Sequence, residues 1–207
     1  IGFVYGSYQS WNALDVGKFQ DNYSQWNFGG KDLRAFSSSF IFSDVIRAVK
    51  KDSVKMAGFI SFILVLILTL SLRKPKLIGI SVIALAMGAL WTMGLMGLIN
   101  LSLGFGKIGI YNVIVIPTLL GVGIDATIHL LVSYLDQPKK DLKRLYDTTG
   151  RMVLASSLTT AAGFIGVLFI QHRGMRTIGE LAVIGIAASL LAALLITPYL
   201  SKKWLSK

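Results

Sequence analysis

Few side chains in this sequence can exchange a proton inside an apolar environment, and two of them stand one helical turn apart. Asp125 and His129 lie in the stretch Gly121-Val122-Gly123-Ile124-Asp125-Ala126-Thr127-Ile128-His129. The apolar run around them extends from Ile108 to Leu135, and Asp125 is its only acid. Such a run crosses a bilayer as a helix, with Asp125 near its middle. A carboxylate at that depth costs roughly 2.5–3.5 kcal/mol on insertion scales. It is therefore expected to face other helices or water, and to be paired, hydrated or protonated. A carboxyl that gains and loses a proton there can bias two helix arrangements. His129 reads either as its orienting partner or as a neutral residue near the water interface. At helical spacing Pro117, Thr118, Gly121, Asp125 and His129 share one stripe, with Ser133 at its lower edge.

A second run supplies the groups to meet that stripe. Ser156, Thr160 and Gly163 share a face, with Ser157 and Thr159 alongside and Gly166 one turn on. Membrane helices associate through small residues and polar contacts, because lipid gives no hydrophobic drive between them. Gly121, Gly123, Ser156 and Gly163 are accordingly expected to pack helices together around the acid. The hydroxyls are expected to approach Asp125, in competition with bonds to their own helix backbone. Packing alone is the rival role for Asp125. Ala182, Ile186, Ser189 and Ala193 form a similar narrow ridge further on, and Glu180 stands at its entrance near Arg176.

Composition sets the surroundings. The chain has 207 residues, 54% of them hydrophobic and only 15% charged, and no cysteine. Soluble domains carry about 25% charged residues. Without cysteine there are no disulfides and no thiolate metal sites. The net charge of +11 does not indicate nucleic acid, because the basic residues fall in short loops between apolar runs rather than in one patch. No Ser/His/acid set, metal cluster or phosphate loop stands out, so neither an enzyme nor a cofactor is expected. Gly121-Val122-Gly123 lies within an apolar run, not after a strand, and is no nucleotide fingerprint.

In chain order, residues 1–42 read as the end of a truncated extracytoplasmic α/β domain. Ile1–Tyr5 suits a strand, and a helix from Asn12 or Asp15 would carry Val16, Phe19, Tyr23 and Trp26. Gly29-Gly30 would break it, and Leu33–Phe36 would return as a strand. Residues 43–55, started by Ser43-Asp44, read as an interfacial amphipathic helix. Residues 56–200 form the transmembrane part, with spans at about 56–72, 77–98, 110–134, 152–170 and 178–200. A short surface helix is expected from Lys139 to Tyr146. Residues 201–207 are a basic tail. The fold class is thus mainly α: a polytopic membrane helix bundle of five spans with a short α/β extracytoplasmic fragment. Without an initiator Met, the chain is expected to belong to a longer protein.

The loops orient the bundle. Arg73, Lys74 and Lys76, then Lys139, Lys140, Lys143, Arg144 and Arg151, then Lys202, Lys203 and Lys207 fall on one side. Lys107, Arg173 and Arg176 fall on the other. The positive-inside rule places the loop at 136–150 and the C-terminus in the cytoplasm. The expected location is the cytoplasmic (inner) membrane.

Taken together, the GVGID-x-x-IH stretch, the basic loop, the SSLTTAAGF run at 156–164 and the last span resemble one half of an RND-superfamily transporter. The similarity is to the MmpL-type, hydrophobe-exporting branch, related to the sterol-sensing proteins, and covers about residues 40–200. It implies that Asp125 relays protons, with Thr159 and Thr160 as further members of the relay. Many relatives have an aromatic residue directly after the aspartate. Here it is Ala126, and His129 becomes the candidate second polar group. The resemblance implies proton-driven export of a lipid or other hydrophobic molecule. The implied partners are membrane lipids, the substrate, protons and an absent N-terminal half of the same transporter, with an oligomer as an option. The competing function is a sterol-sensing-like regulator that binds a lipid without pumping.

Overall fold

The computed structural model describes residues 13–23, 25–28, 31–34, 37–72, 74–103, 112–113, 115–137 and 141–205. The chain divides into two compact units, Ile1–Met56 and Ala57–Lys207.

In the first unit, helix α1 (Ala13–Tyr23) is followed by an antiparallel hairpin of β1 (Gln25–Phe28) and β2 (Lys31–Arg34), which pairs Gln25 with Arg34 and Phe28 with Lys31. The helix and a strand overlapping the expected Leu33–Phe36 are present, and that strand pairs antiparallel with Gln25–Phe28, which was expected to be helical as far as Trp26. The helix stops at Tyr23 instead of continuing through Trp26, because Gln25-Trp26-Asn27-Phe28 alternates with the period of a strand. The strand expected at Ile1–Tyr5 and the Gly29-Gly30 link lie outside the described residues.

Helix α2 (Ser38–Leu72) starts earlier than Ser43-Asp44. Ser37 is the cap: its hydroxyl accepts from Ser39 N–H at 3.2 Å, and its carbonyl accepts from Phe40 N–H at 3.0 Å. Asp44 is thereby free to accept from Gln20 Nε2 at 2.9 and 3.0 Å. Arg47 donates through both terminal nitrogens to Asp21, each at 2.8 Å. That pairing holds the Asp21 carboxyl below its ordinary value. Its contribution is present at neutral pH and fades as pH falls through the lowered value.

The second unit takes in the rest of α2, followed by α3 (Pro75–Leu103), α4 (Val115–Asp136), α5 (Leu142–Leu145), α6 (Arg151–Ile165) and α7 (Arg173–Leu205). A π-helical turn (Tyr146–Gly150) joins α5 to α6, and a 3₁₀ turn (Gly166–Phe169) extends α6. Among the described residues five helical stretches are long and apolar enough to cross a membrane. The fourth of them starts at Leu142, so the helix expected at Lys139–Tyr146 is described from Leu142 and runs on through the π turn into α6. Asp141 caps it, accepting from Lys143 N–H at 2.9 Å. The third starts at Val115 rather than about 110, which puts Pro117 in the first turn, where a missing N–H does no harm.

Helix α7 is central. Its most apolar window is 61% buried, against 6% for that of α2. The ridge Ala182, Ile186 and Ala193 is buried. Among the second unit's described residues are three buried apolar clusters. One joins Ala126, Leu130 and Tyr134 to Leu145, Val153, Leu190 and Ala193. Another joins Ile124 and Leu131 to Leu68, Leu72, Leu77 and Ile80. The third joins Val115 and Leu119 to Met96, Leu181, Ala182 and Ile186. Since α4 contributes to all three, its rotation about its own axis is fixed.

Pro198 lies inside α7. It has no N–H to offer the Leu194 carbonyl, and the Tyr146 hydroxyl donates to that carbonyl at 2.8 Å. Tyr146→Phe should cost about 1 kcal/mol and lower Tm by roughly 2–4 °C. In a Pro198→Ala background the helix supplies its own donor, and thermal melts should show that most of this cost disappears. Equal costs in the two backgrounds would refute the pairing.

Candidate functional site

The clusters that fix α4 also decide where its polar stripe points. Ile124, Ala126, Thr127, Leu130 and Leu131 are buried, and the Thr127 hydroxyl donates to the Gly123 carbonyl at 2.8 Å. One residue round the helix, Asp125 and His129 are exposed, as is Thr118. The stripe therefore faces away from α3 and α7 and towards α6.

Between α4 and α6 lies a cavity of about 290 Å³. Asp125 and His129 line it from α4, with Val122 and Ala126. Thr149 lines it from the π turn, and Met152, Val153, Ser156, Ser157 and Thr160 from α6. A water takes up roughly 30 Å³ in the liquid, so several waters can be held against these polar groups. No ion pair among the described residues involves Asp125. The Thr149 hydroxyl donates to the Ser133 hydroxyl at 2.6 Å, tying the π turn to α4 at one end of the stripe.

The residues singled out from the sequence separate here. Asp125, His129, Ser156 and Thr160 come together on one cavity. Thr159 does not line it; its hydroxyl donates to the carbonyls of Ala155 at 2.8 Å and Ser156 at 2.9 Å. Thr160 also donates to its own helix, to the Ser156 carbonyl at 3.0 Å, leaving the oxygen lone pairs to accept from water or a protonated carboxyl. Gly123 is a close approach, where a Cβ would sit 3.0 Å from Leu85 Cδ2 and 3.6 Å from Ser189 Cβ. Gly121 and Gly163 have open space where a Cβ would go, so within these described residues they are not the packing points their spacing suggested. Ser157, whose hydroxyl was expected near Asp125, also lines the cavity, whereas Thr149 was missed as a lining group. The signal was present: residues 149, 153, 156 and 160 recur at helical spacing once Asp141 is taken as the helix start.

What the arrangement can do is limited and specific. A carboxyl, an imidazole and several hydroxyls border a space large enough for water, on the outer face of a helix whose inner face is locked. They can hold, pass and release a proton. Among the described residues no three His, Cys, Asp or Glu side chains stand close enough together to hold a metal.

Residues 35–202 match the sequence model of the MMPL family. A membrane protein of Methanocaldococcus jannaschii is 29% identical over 149 residues, covering 69% of this chain and 37% of that protein. The hopanoid transporter HpnN of Rhodopseudomonas palustris is 27% identical over 138 residues, covering 67% of this chain and 15% of that protein. The sulfolipid-1 exporter MmpL8 of Mycobacterium tuberculosis is 23% identical over 157 residues, covering 73% of this chain and 14% of that protein. The chain thus spans well under half the length of these relatives. No solved structure matches it significantly.

Proposed function

The chain belongs to the MMPL family, and from that premise we propose that it forms part of a membrane exporter of lipids or other hydrophobic molecules, driven by the proton gradient. The observation that carries this reading is the cavity that Asp125 and His129 share with Ser156 and Thr160. Asp125 is the group that takes up and releases the proton. In its neutral form it can donate to Thr160 or to a cavity water; in its charged form it draws donors from water and from His129. The two forms favour different distances between α4 and whatever faces it, which is how protonation moves helices. Gly121 and Gly163, with open space beside them, are the close-approach points for a second helical unit that covers the cavity. Thr159, bonded to its own helix, has a structural part in this scheme. The names of two relatives, a hopanoid transporter and a sulfolipid exporter, support a lipid-like substrate.

The alternative is a sensor that binds a lipid without pumping. Proteoliposomes of the full-length protein with a trapped pH dye separate the two. An exporter couples proton movement to translocation of a fluorescent phospholipid analogue under an imposed gradient. A sensor binds the analogue and leaves both signals flat.

Orientation follows from the basic loops. Single cysteines placed in this cysteine-free chain at Lys140 and at His172 should label differently in intact cells. An impermeant thiol reagent should reach position 172 and not position 140. Labelling at 140 from outside would reverse the topology.

A further inference from the structure

We propose that the C-terminal end of α7 carries a binding site for an anionic lipid, separate from the proton cavity. A second cavity, of about 620 Å³, opens between α7 and the segment formed by α5 and the π turn. Its polar lining has one sign: Lys202 and Lys203 bring two ammonium groups, Tyr146 and Tyr199 bring two phenols, and among the described residues no acid lines it. Neither lysine belongs to an ion pair among the described residues. Its apolar lining is Leu142 of α5 together with Leu195 and Pro198, which precede the two lysines on α7.

That division matches a phospholipid at the interface. The phosphate meets the lysines and the Tyr199 hydroxyl, while the glycerol and first methylenes meet Leu195 and Pro198. Basic pockets between membrane helices at an interface bind such headgroups, each nearby Lys contributing about a fivefold gain in binding. A free phosphate would satisfy the lysines equally well and leave the apolar wall wet. The wall itself is built in: the Tyr146 hydroxyl is committed to the Leu194 carbonyl, which pins the π turn against α7 beside Pro198. The pocket does not depend on the lipid for its shape.

Native mass spectrometry of the full-length protein, with phosphatidylglycerol and phosphatidylcholine of identical acyl chains, tests the site. Wild type should bind phosphatidylglycerol roughly 10- to 30-fold better, from about fivefold per lysine. The Lys202→Gln/Lys203→Gln variant should lose that preference while keeping its melting temperature in phosphatidylcholine. Lys143→Gln removes an exposed charge outside the cavity and should keep the preference. Equal binding of the two lipids by wild type overturns the proposal. So does an equal loss in Lys143→Gln, which would make the effect general surface charge. Millimolar inorganic phosphate should compete poorly; if it displaces phosphatidylglycerol completely, the site takes a free anion and the lipid reading fails.

Discussion

Asp125→Asn in the full-length protein is expected to reach the membrane at normal levels, melt normally and lose gradient-driven export. The first half of that expectation follows from the geometry. Asp125 is exposed and lines a cavity, and no ion pair among the described residues depends on it. Asn has nearly the same shape and carries no charge at membrane depth, so the variant should be no less stable than wild type. The second half follows from chemistry, since an amide cannot gain or lose a proton in this range and the site is held in one state. Export by the variant should therefore fall to the rate measured without a pH gradient. His129→Gln keeps a donor and an acceptor beside the acid and should slow export without removing its gradient dependence. Both are read as export at matched membrane levels, with and without an imposed gradient. Normal gradient-dependent export by Asp125→Asn would make the aspartate structural and end the relay proposal.

How much of this was legible before the fold was known varies by element. The five spans were, because a bilayer demands long apolar runs and the basic loops punctuate them. The polar stripe of α4 was also readable, since one acid and one histidine among Val, Ile and Leu define a face by themselves. The helix starts were less so. Ser43-Asp44 and Ser37 both offer capping groups, and it is Ser37 that caps the helix, leaving Asp44 to accept from Gln20. The glycines were the least legible. In a soluble helix the apolar face marks the interior, but in a membrane both the lipid side and the packed side are apolar. Spacing alone therefore could not distinguish Gly121 and Gly163, which face open space, from Gly123, which meets Leu85, or Gly185, which meets Leu119. Thr149 was hidden for another reason. Read as part of a charged loop it has no face, and only the helix that runs on from Asp141 gives it one.

That difference among glycines yields the largest stability effect. Gly185 lies on α7 against Leu119 of α4, and a Cβ there would fall 2.5 Å from Leu119 Cδ1 and 2.7 Å from Cδ2. Leu119 is itself 9% exposed and packed among Met96, Val115, Leu181 and Ile186, so it has little room to turn aside. Gly185→Leu should accordingly destabilise the bundle by about 1–3 kcal/mol or more through overpacking, against a helix-propensity gain of about 1 kcal/mol from removing a glycine. At Gly163 only the gain applies within this chain, and Gly163→Leu should melt at or slightly above wild type. Leu119→Ala in the Gly185→Leu background should recover much of the loss, because the two residues share one space and their effects do not add. Thermal melts in detergent, with size-exclusion profiles for folded yield, measure all three variants. Equal melting of Gly185→Leu and Gly163→Leu would show that α4 and α7 do not meet at this point. A Gly163→Leu protein that melts normally yet exports nothing would place the helix covering the proton cavity directly against α6.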